Sequence, residues 1–182
     1  MESNVTPFRS RVDHVGRAAP ASAQIHLLGM MRATGPNGED ALPQPKKTQA
    51  VFGYLCLAAS QRVSRSRIAG TIWDRVSEVQ ARDSLRHALT ELGRVGVWRL
   101  ELTRETVRLD LSGCWIDVFE NPEESDRLLE DLHGISSTFD QWLHEERTRY
   151  ENRWKARLET DWRSCSARAP RPKRVRGLPA SC

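Results

Sequence analysis

The sequence predicts an α+β fold: short N-terminal strands, three helices, a β-hairpin and a short helical extension behind it. Three observations carry this expectation. In "QARDSLRHALTELGRV", Gln80 to Val95, a helical step of ~100° per residue puts Ala81, Leu85, Ala88, Leu89, Leu92 and Val95 on one arc. Asp83, Arg86, His87, Thr90 and Arg94 take the opposite arc. Just downstream, "VWRLELTRETVRLDL" alternates strictly, with Trp98, Leu100 and Leu102 on one face, then Val107, Leu109 and Leu111. The four residues "TRET" between the runs suit a hairpin loop with Arg104 at its tip. Finally, charge is segregated along the chain. Lys46 to Arg94 holds nine basic and four acidic residues, whereas Cys114 to Trp162 holds six basic and thirteen acidic.

The elements follow in order. Residues 1–23 read as a disordered leader: arginines and small residues, no continuous apolar segment, and hence no secretory signal. "AQIHLLGMMRAT" is apolar and strand-like, and "GPNGEDALP" brings turn chemistry at Asn37-Gly38 with a second short strand expected at Ala41-Leu42. "KKTQAVFGYLCLAAS" has Val51, Tyr54, Leu55 and Ala58 at helical spacing. Ser64 is a suitable N-cap for a second helix that would bury Ile68, Ile72 and Trp73. The connector "DRVSEV" then leads into the Gln80–Val95 helix, so a helix-turn-helix is expected. A strand pair directly after it is the wing of a winged helix, able to lay a basic tip on a phosphate backbone; the plain alternative is a hairpin that only seals the core. Winged-helix residues would span 24–120.

From Asp117 the character changes. "ENPEESD" reads as an acidic turn or linker, "RLLEDLHGI" as a short helix ended by Gly134, and "STFDQWLHEERTRYENRWKARLETDW" as a longer helix, giving a helical extension over 121–162. Phe139, Leu143, Glu146, Tyr150, Trp154 and Leu158 roughly follow one face of the longer helix. That stripe must be covered, either by the rest of the chain or by the same stripe of a second copy. The homodimer is the favoured expectation, because paired chains suit paired half-sites. Residues 163–182, with six basic residues and no acid, read as a disordered basic tail.

The +5 balance between Lys46 and Arg94 points to a polyanionic partner. Long polar side chains on the outward arc suit base edges, so Arg82, Asp83, Arg86, His87 and Thr90 are candidate base readers on double-stranded DNA. Lys46, Lys47, Arg65, Arg67, Arg94 and Arg104 are the candidate phosphate contacts. An enzyme is not expected: no HExxH, CxxC, GxSxG or P-loop pattern occurs and the five histidines are scattered, so no catalytic, metal or cofactor residues are assigned. No apolar run approaches the ~18 residues of a membrane span. The four cysteines lack paired spacing, so no disulfide framework is expected and the cytoplasm is the default compartment.

Several strings together resemble a known family. "IHLLGMMRATGPNGEDALPQPKKTQAVFGYLCLAASQRVSRSRIAGTIW" followed by "ARDSLRHALTEL" is similar to the SARP-type bacterial transcriptional activators. The shared features are "LLG" at 27–29, the pair Lys46-Lys47, the Ser64-x-x-x-Ile68…Trp73 pattern and "SLR" at Ser84–Arg86. "WIDVFEN" resembles the strand that leaves such domains, and "FDQWLHEERTR" an early helix of the bacterial transcriptional activator domain (BTAD). The resemblance implies an OmpR/PhoB-type winged helix, a shortened BTAD, transcription regulation in the bacterial nucleoid, and RNA polymerase as a partner. Where family members carry arginines late in the recognition helix, this chain has Glu91 and Gly93, so a carboxylate is expected to face the phosphates. The competing expectation is a winged-helix module that binds a transcription partner rather than DNA.

Overall fold

The apolar run from Ala23 folds as two strands rather than one, because Gly29 turns the chain at φ 71°. The computed structural model describes residues 23–58, 60–120 and 127–168. Strands β1 (Gln24–His26) and β2 (Arg32–Thr34) pair antiparallel, with Ile25 opposite Ala33. The strand expected at Ala41-Leu42 is absent. Only a single bridge joins Thr34 to Asp40, and the Ala41 N–H donates to the Ala33 carbonyl at 2.9 Å. Pro43 follows at once and has no N–H to extend a ladder.

Helix α1 (Lys46–Leu57) is buried from Thr48 to Cys56 and forms the centre of the core. Strand β3 (Val63–Ser64) leads directly into helix α2 (Arg65–Ile72), with Ser64 at the N-cap. Helix α3 (Glu78–Arg94) starts two residues before the expected point, because the Ser77 hydroxyl accepts the Gln80 N–H. Its apolar arc is inward as expected: Ala81, Leu85, Ala88, Leu89 and Leu92 are all buried. Strands β4 (Arg99–Leu102) and β5 (Thr106–Asp110) form the expected hairpin, with Leu100 opposite Leu109. Trp98, just before it, stacks on Phe52 at 4.2 Å and donates its indole N–H to the Leu92 carbonyl. Leu102 was expected inside but is half exposed, since it lies beside the turn at the tip of the hairpin.

Strand β6 (Trp115–Ile116) runs parallel to β1, and helix α4 (Asp117–Glu120) makes one turn after it. The fully buried Asp117 carboxylate accepts the Leu27, Leu28 and Val118 N–H groups, tying the two chain ends of this sheet together. Among the described residues there are thus two three-stranded sheets, β2-β1-β6 and β3-β5-β4, around one helical core. Mixed α+β architecture is as expected.

The C-terminal part differs more. Residues 127–132 are not an α-helix. Leu128 bridges to Leu28, Leu129 takes a left-handed φ of 47°, and only a single 3-10 turn follows at Glu130–Leu132. The Leu129 N–H is used by the Leu27 carbonyl at 2.7 Å, so this backbone pairs with residues 27–29 just after β1 instead of forming a helix of its own. Arg147 secures it by donating to the Leu128 and Leu129 carbonyls, each at 2.8 Å. Gly53 makes room for it: a side-chain carbon there would stand 3.0 Å from Leu129.

Helix α5 (Ser137–Arg168) begins at Ser136, whose hydroxyl accepts the Phe139 N–H and donates to the Thr71 carbonyl. It runs six residues past the Trp162 boundary expected for the tail. Phe139, Leu143 and Tyr150 are buried within the same chain, and Trp142 stacks on Tyr54 at 4.3 Å. The stripe is therefore covered by fold-back as far as Tyr150. The dimer expectation rested on an uncovered stripe and loses that basis. Nor is there a core boundary at residue 120, because Leu128, Leu129, Leu132 and Phe139 belong to the one core. The leader, most of "ENPEESD", and 169–182 lie outside the described residues. Among the described residues no helix is long and apolar enough to cross a membrane.

Candidate nucleic-acid interface

Three elements meet at one cleft. The start of α2, the first half of α3 and the β4–β5 turn enclose about 570 Å³ lined by Ser64, Arg65, Ser66, Arg82, Asp83, Leu85, Arg86, Arg104 and Glu105. Four arginines thus converge against two carboxylates. The convergence depends on β3. Ser64 pairs with Thr106 across the β3–β5 ladder, and the Arg65 N–H donates to the Glu105 carbonyl at 2.8 Å. The Arg65 guanidinium reaches the Thr103 carbonyl at 3.0 Å, and the Thr103 hydroxyl accepts the Thr106 N–H. The turn carrying Arg104 is therefore held against the N-terminus of α2. β3 is two residues long, too short to leave a periodic signal in the sequence.

The outer face of α3 is polar. Arg82, Asp83, Arg86, His87, Thr90 and Arg94 are all exposed. Arg82 pairs with Glu78, and Arg86 Nη2 lies 3.1 Å from Asp83 Oδ1. The Thr90 hydroxyl donates to the Arg86 carbonyl and keeps its lone pairs outward. Val79, which sequence reasoning passed over, shares this face and is 71% exposed. On the outward arc of a helix a bare branched methyl pair is a ready contact for a thymine methyl. Its only signal was an apolar residue out of phase with the inward arc.

The cleft gathers Arg65 and Arg104 but not every expected phosphate contact. Lys46 Nζ lies 2.6 Å from Asp131 Oδ2, and Lys47 sits 5.7 Å over the Trp73 ring. Neither lines the cleft. Arg67 is exposed yet turned away, since a two-residue step rotates it ~200° from Arg65 around α2. Arg94 stands at the C-terminal end of the exposed α3 face. Glu91 does not face outward either. Its carboxylate accepts the hydroxyl of buried Thr48 at 2.7 Å, so it is turned to α1 and is no obstacle to an anion on α3.

Other groups offer less chemistry. Cys56 is buried, and burial pushes its thiol well above the usual range; half-buried Cys114 is raised by burial too. Thiols of this kind are poor nucleophiles at neutral pH. Among the described residues no three His, Cys, Asp or Glu side chains are grouped to hold a metal ion. No protein-family model, curated protein or solved structure matches the chain.

Proposed function

We propose that the chain is a sequence-specific DNA-binding transcriptional regulator whose fold is a winged helix-turn-helix of the SARP type. α2 and α3 make the helix-turn-helix, α3 enters the major groove, and the β4–β5 hairpin is the wing that rests on the backbone. The observation that carries this reading is the convergence of Arg65, Arg82, Arg86 and Arg104 from three elements onto one cleft beside the exposed face of α3. Folding alone does not call for it: like charges repel, and exposed ion pairs contribute only about 0–1 kcal/mol. A phosphate backbone relieves that repulsion and releases counterions as each arginine engages.

Within this reading Arg65 and Arg104 hold phosphates, while Arg82, Arg86, His87 and Thr90 face base edges. Lys46, Lys47 and Arg67 take no part. Titration of a fluorescent duplex at rising salt tests the assignment. Arg65→Gln or Arg104→Gln should weaken binding to all sequences alike and flatten the log–log salt slope by about one unit. Lys46→Gln should leave that slope unchanged. If binding were insensitive to salt, or if only the Lys46 change flattened the slope, the cleft would not be the DNA surface. A protein-interaction module in its place would keep its partner at high salt.

A further inference from the structure

Both arginines on the cleft side of α3 are tied to carboxylates of their own helix. Arg82 pairs with Glu78 one turn before it, and Arg86 with Asp83 at 3.1 Å. All four side chains are more than half exposed, so neither pair contributes much to folding. At ~100° per residue Asp83 lies close to the centre of the outward arc, directly opposite the buried Leu85 and Leu92 side. That is the worst place on the helix for a carboxylate if the face served only to attract phosphate.

We propose that Asp83 is a positioning residue that sets sequence specificity, holding the Arg86 guanidinium for a guanine edge and weakening attachment to DNA that offers none. The proposal rests on the DNA-binding reading above. An untethered arginine samples many rotamers and satisfies itself on any phosphate. With one Nη2 donor engaged by Asp83, the guanidinium plane is biased toward one orientation before DNA arrives, and its other N–H groups remain available. A bidentate bond to guanine O6 and N7 needs a defined plane, and prior ordering reduces the cost of forming it. On random DNA the tether gives no such return, and pairing with Asp83 offsets the Arg86 charge that phosphates would otherwise attract. The pair thus lowers non-specific affinity more than specific affinity.

The test uses the full chain, a duplex enriched by it from a random library, and a random duplex, each titrated over a range of salt. Wild type is compared with Asp83→Asn, Asp83→Glu, Arg86→Ala and the double variant Asp83→Asn/Arg86→Ala. Asp83→Asn should bind random duplex more tightly, with a salt slope steeper by about one unit. Its specific-to-random ratio should fall by about fivefold, the low end of what one bidentate contact supplies. Asp83→Glu should restore the ratio, and adding Asp83→Asn to Arg86→Ala should leave the ratio where Arg86→Ala put it. Two outcomes overturn the proposal while leaving DNA binding intact. One is an Asp83→Asn protein that loses the enriched duplex, changes preference at one base pair and binds random duplex as before; Asp83 would then read a base itself. The other is an equal fall in the ratio with Arg86 already removed, which would make Asp83 only a bulk charge. A wild-type chain that binds neither duplex overturns the DNA-binding reading and the proposal with it.

Discussion

Glu91 shows how far a single residue is legible in a linear sequence. On a helical wheel it lies at the border between the two arcs of α3, and the nearest rule assigns a border acid to solvent. What decides its direction is Thr48, on another helix 43 residues earlier, whose buried hydroxyl needs an acceptor. No local pattern announces such a pair. Lys46 is similar: its partner Asp131 also accepts the Met31 N–H, and the three groups meet only in the folded chain. The expected consequence for Glu91 is specific. Glu91→Ala should lower stability by about 1 kcal/mol, through an unsatisfied buried hydroxyl, and leave the DNA salt slope unchanged. Urea unfolding and duplex titration measure the two effects. A tighter, steeper DNA interaction in the variant would put Glu91 on the phosphate side after all.

Among the elements, those with long periodic signals were legible and those made by contact were not. α3 and the β4–β5 hairpin carry their apolar periods in full, so their faces follow from sequence. β3 and the turn at 127–132 exist because other segments recruit their backbones, and the periodicity of "RLLEDL" points to a helix that pairing with residues 27–29 prevents from forming. The seating of α5 is likewise contact-made. Asp74, from the turn after α2, accepts the Ser137 hydroxyl at 2.6 Å and the Thr138 N–H at 3.1 Å. The Ser137 hydroxyl, then the Thr138 N–H, hold its carboxyl below the ordinary range. A carboxyl depressed in the folded state contributes fully above its unfolded pKa of ~3.9 and progressively less as pH falls below that, through the lower folded value. Asp131 works in the same window. Burial pushes its carboxyl up, but the Lys46 ammonium and the Met31 N–H together outweigh that. Asp74→Asn should therefore lower the urea midpoint at pH 6, and the gap to wild type should narrow as pH falls below about 3.9. Parallel pH profiles would contradict the cap. At the other end of the seat, Arg147→Leu removes the donors to two carbonyls and should destabilise the protein by about 1–3 kcal/mol, read from the same unfolding curves.

At the scale of the whole molecule, the extension is part of the body. The sequence displayed the aromatic stripe of α5 plainly, but which surface covers it depends on Tyr54 and Trp142 meeting across 88 positions, a distance no period spans. A chain stopped after Asn121 would lose Leu128, Leu129, Leu132, Phe139, Leu143 and Tyr150 from the core. Each large apolar side chain is worth roughly 1.5–3 kcal/mol when buried, and a domain's net stability is only about 5–15 kcal/mol. The shortened chain should show no cooperative unfolding transition by circular dichroism; a sharp transition would mean that the first 121 residues are self-sufficient. The same body sorts its charge. The stretch from Lys46 to Arg94, at +5, supplies α2 and α3, while the stretch from Cys114 to Trp162, at −7, contains the start of α5, which packs against α2. The four arginines of the cleft give an approaching polyanion one place to choose. The central claim is that the choice is made at the α2–α3–hairpin cleft and is specific. Its most direct test is enrichment from a random-sequence duplex library by the intact chain and by a folded Arg86→Ala variant. The account predicts that wild type enriches a defined motif with a steep salt dependence and that the variant loses a guanine position from it. Identical motifs from both proteins, or no motif from the wild type, would contradict it.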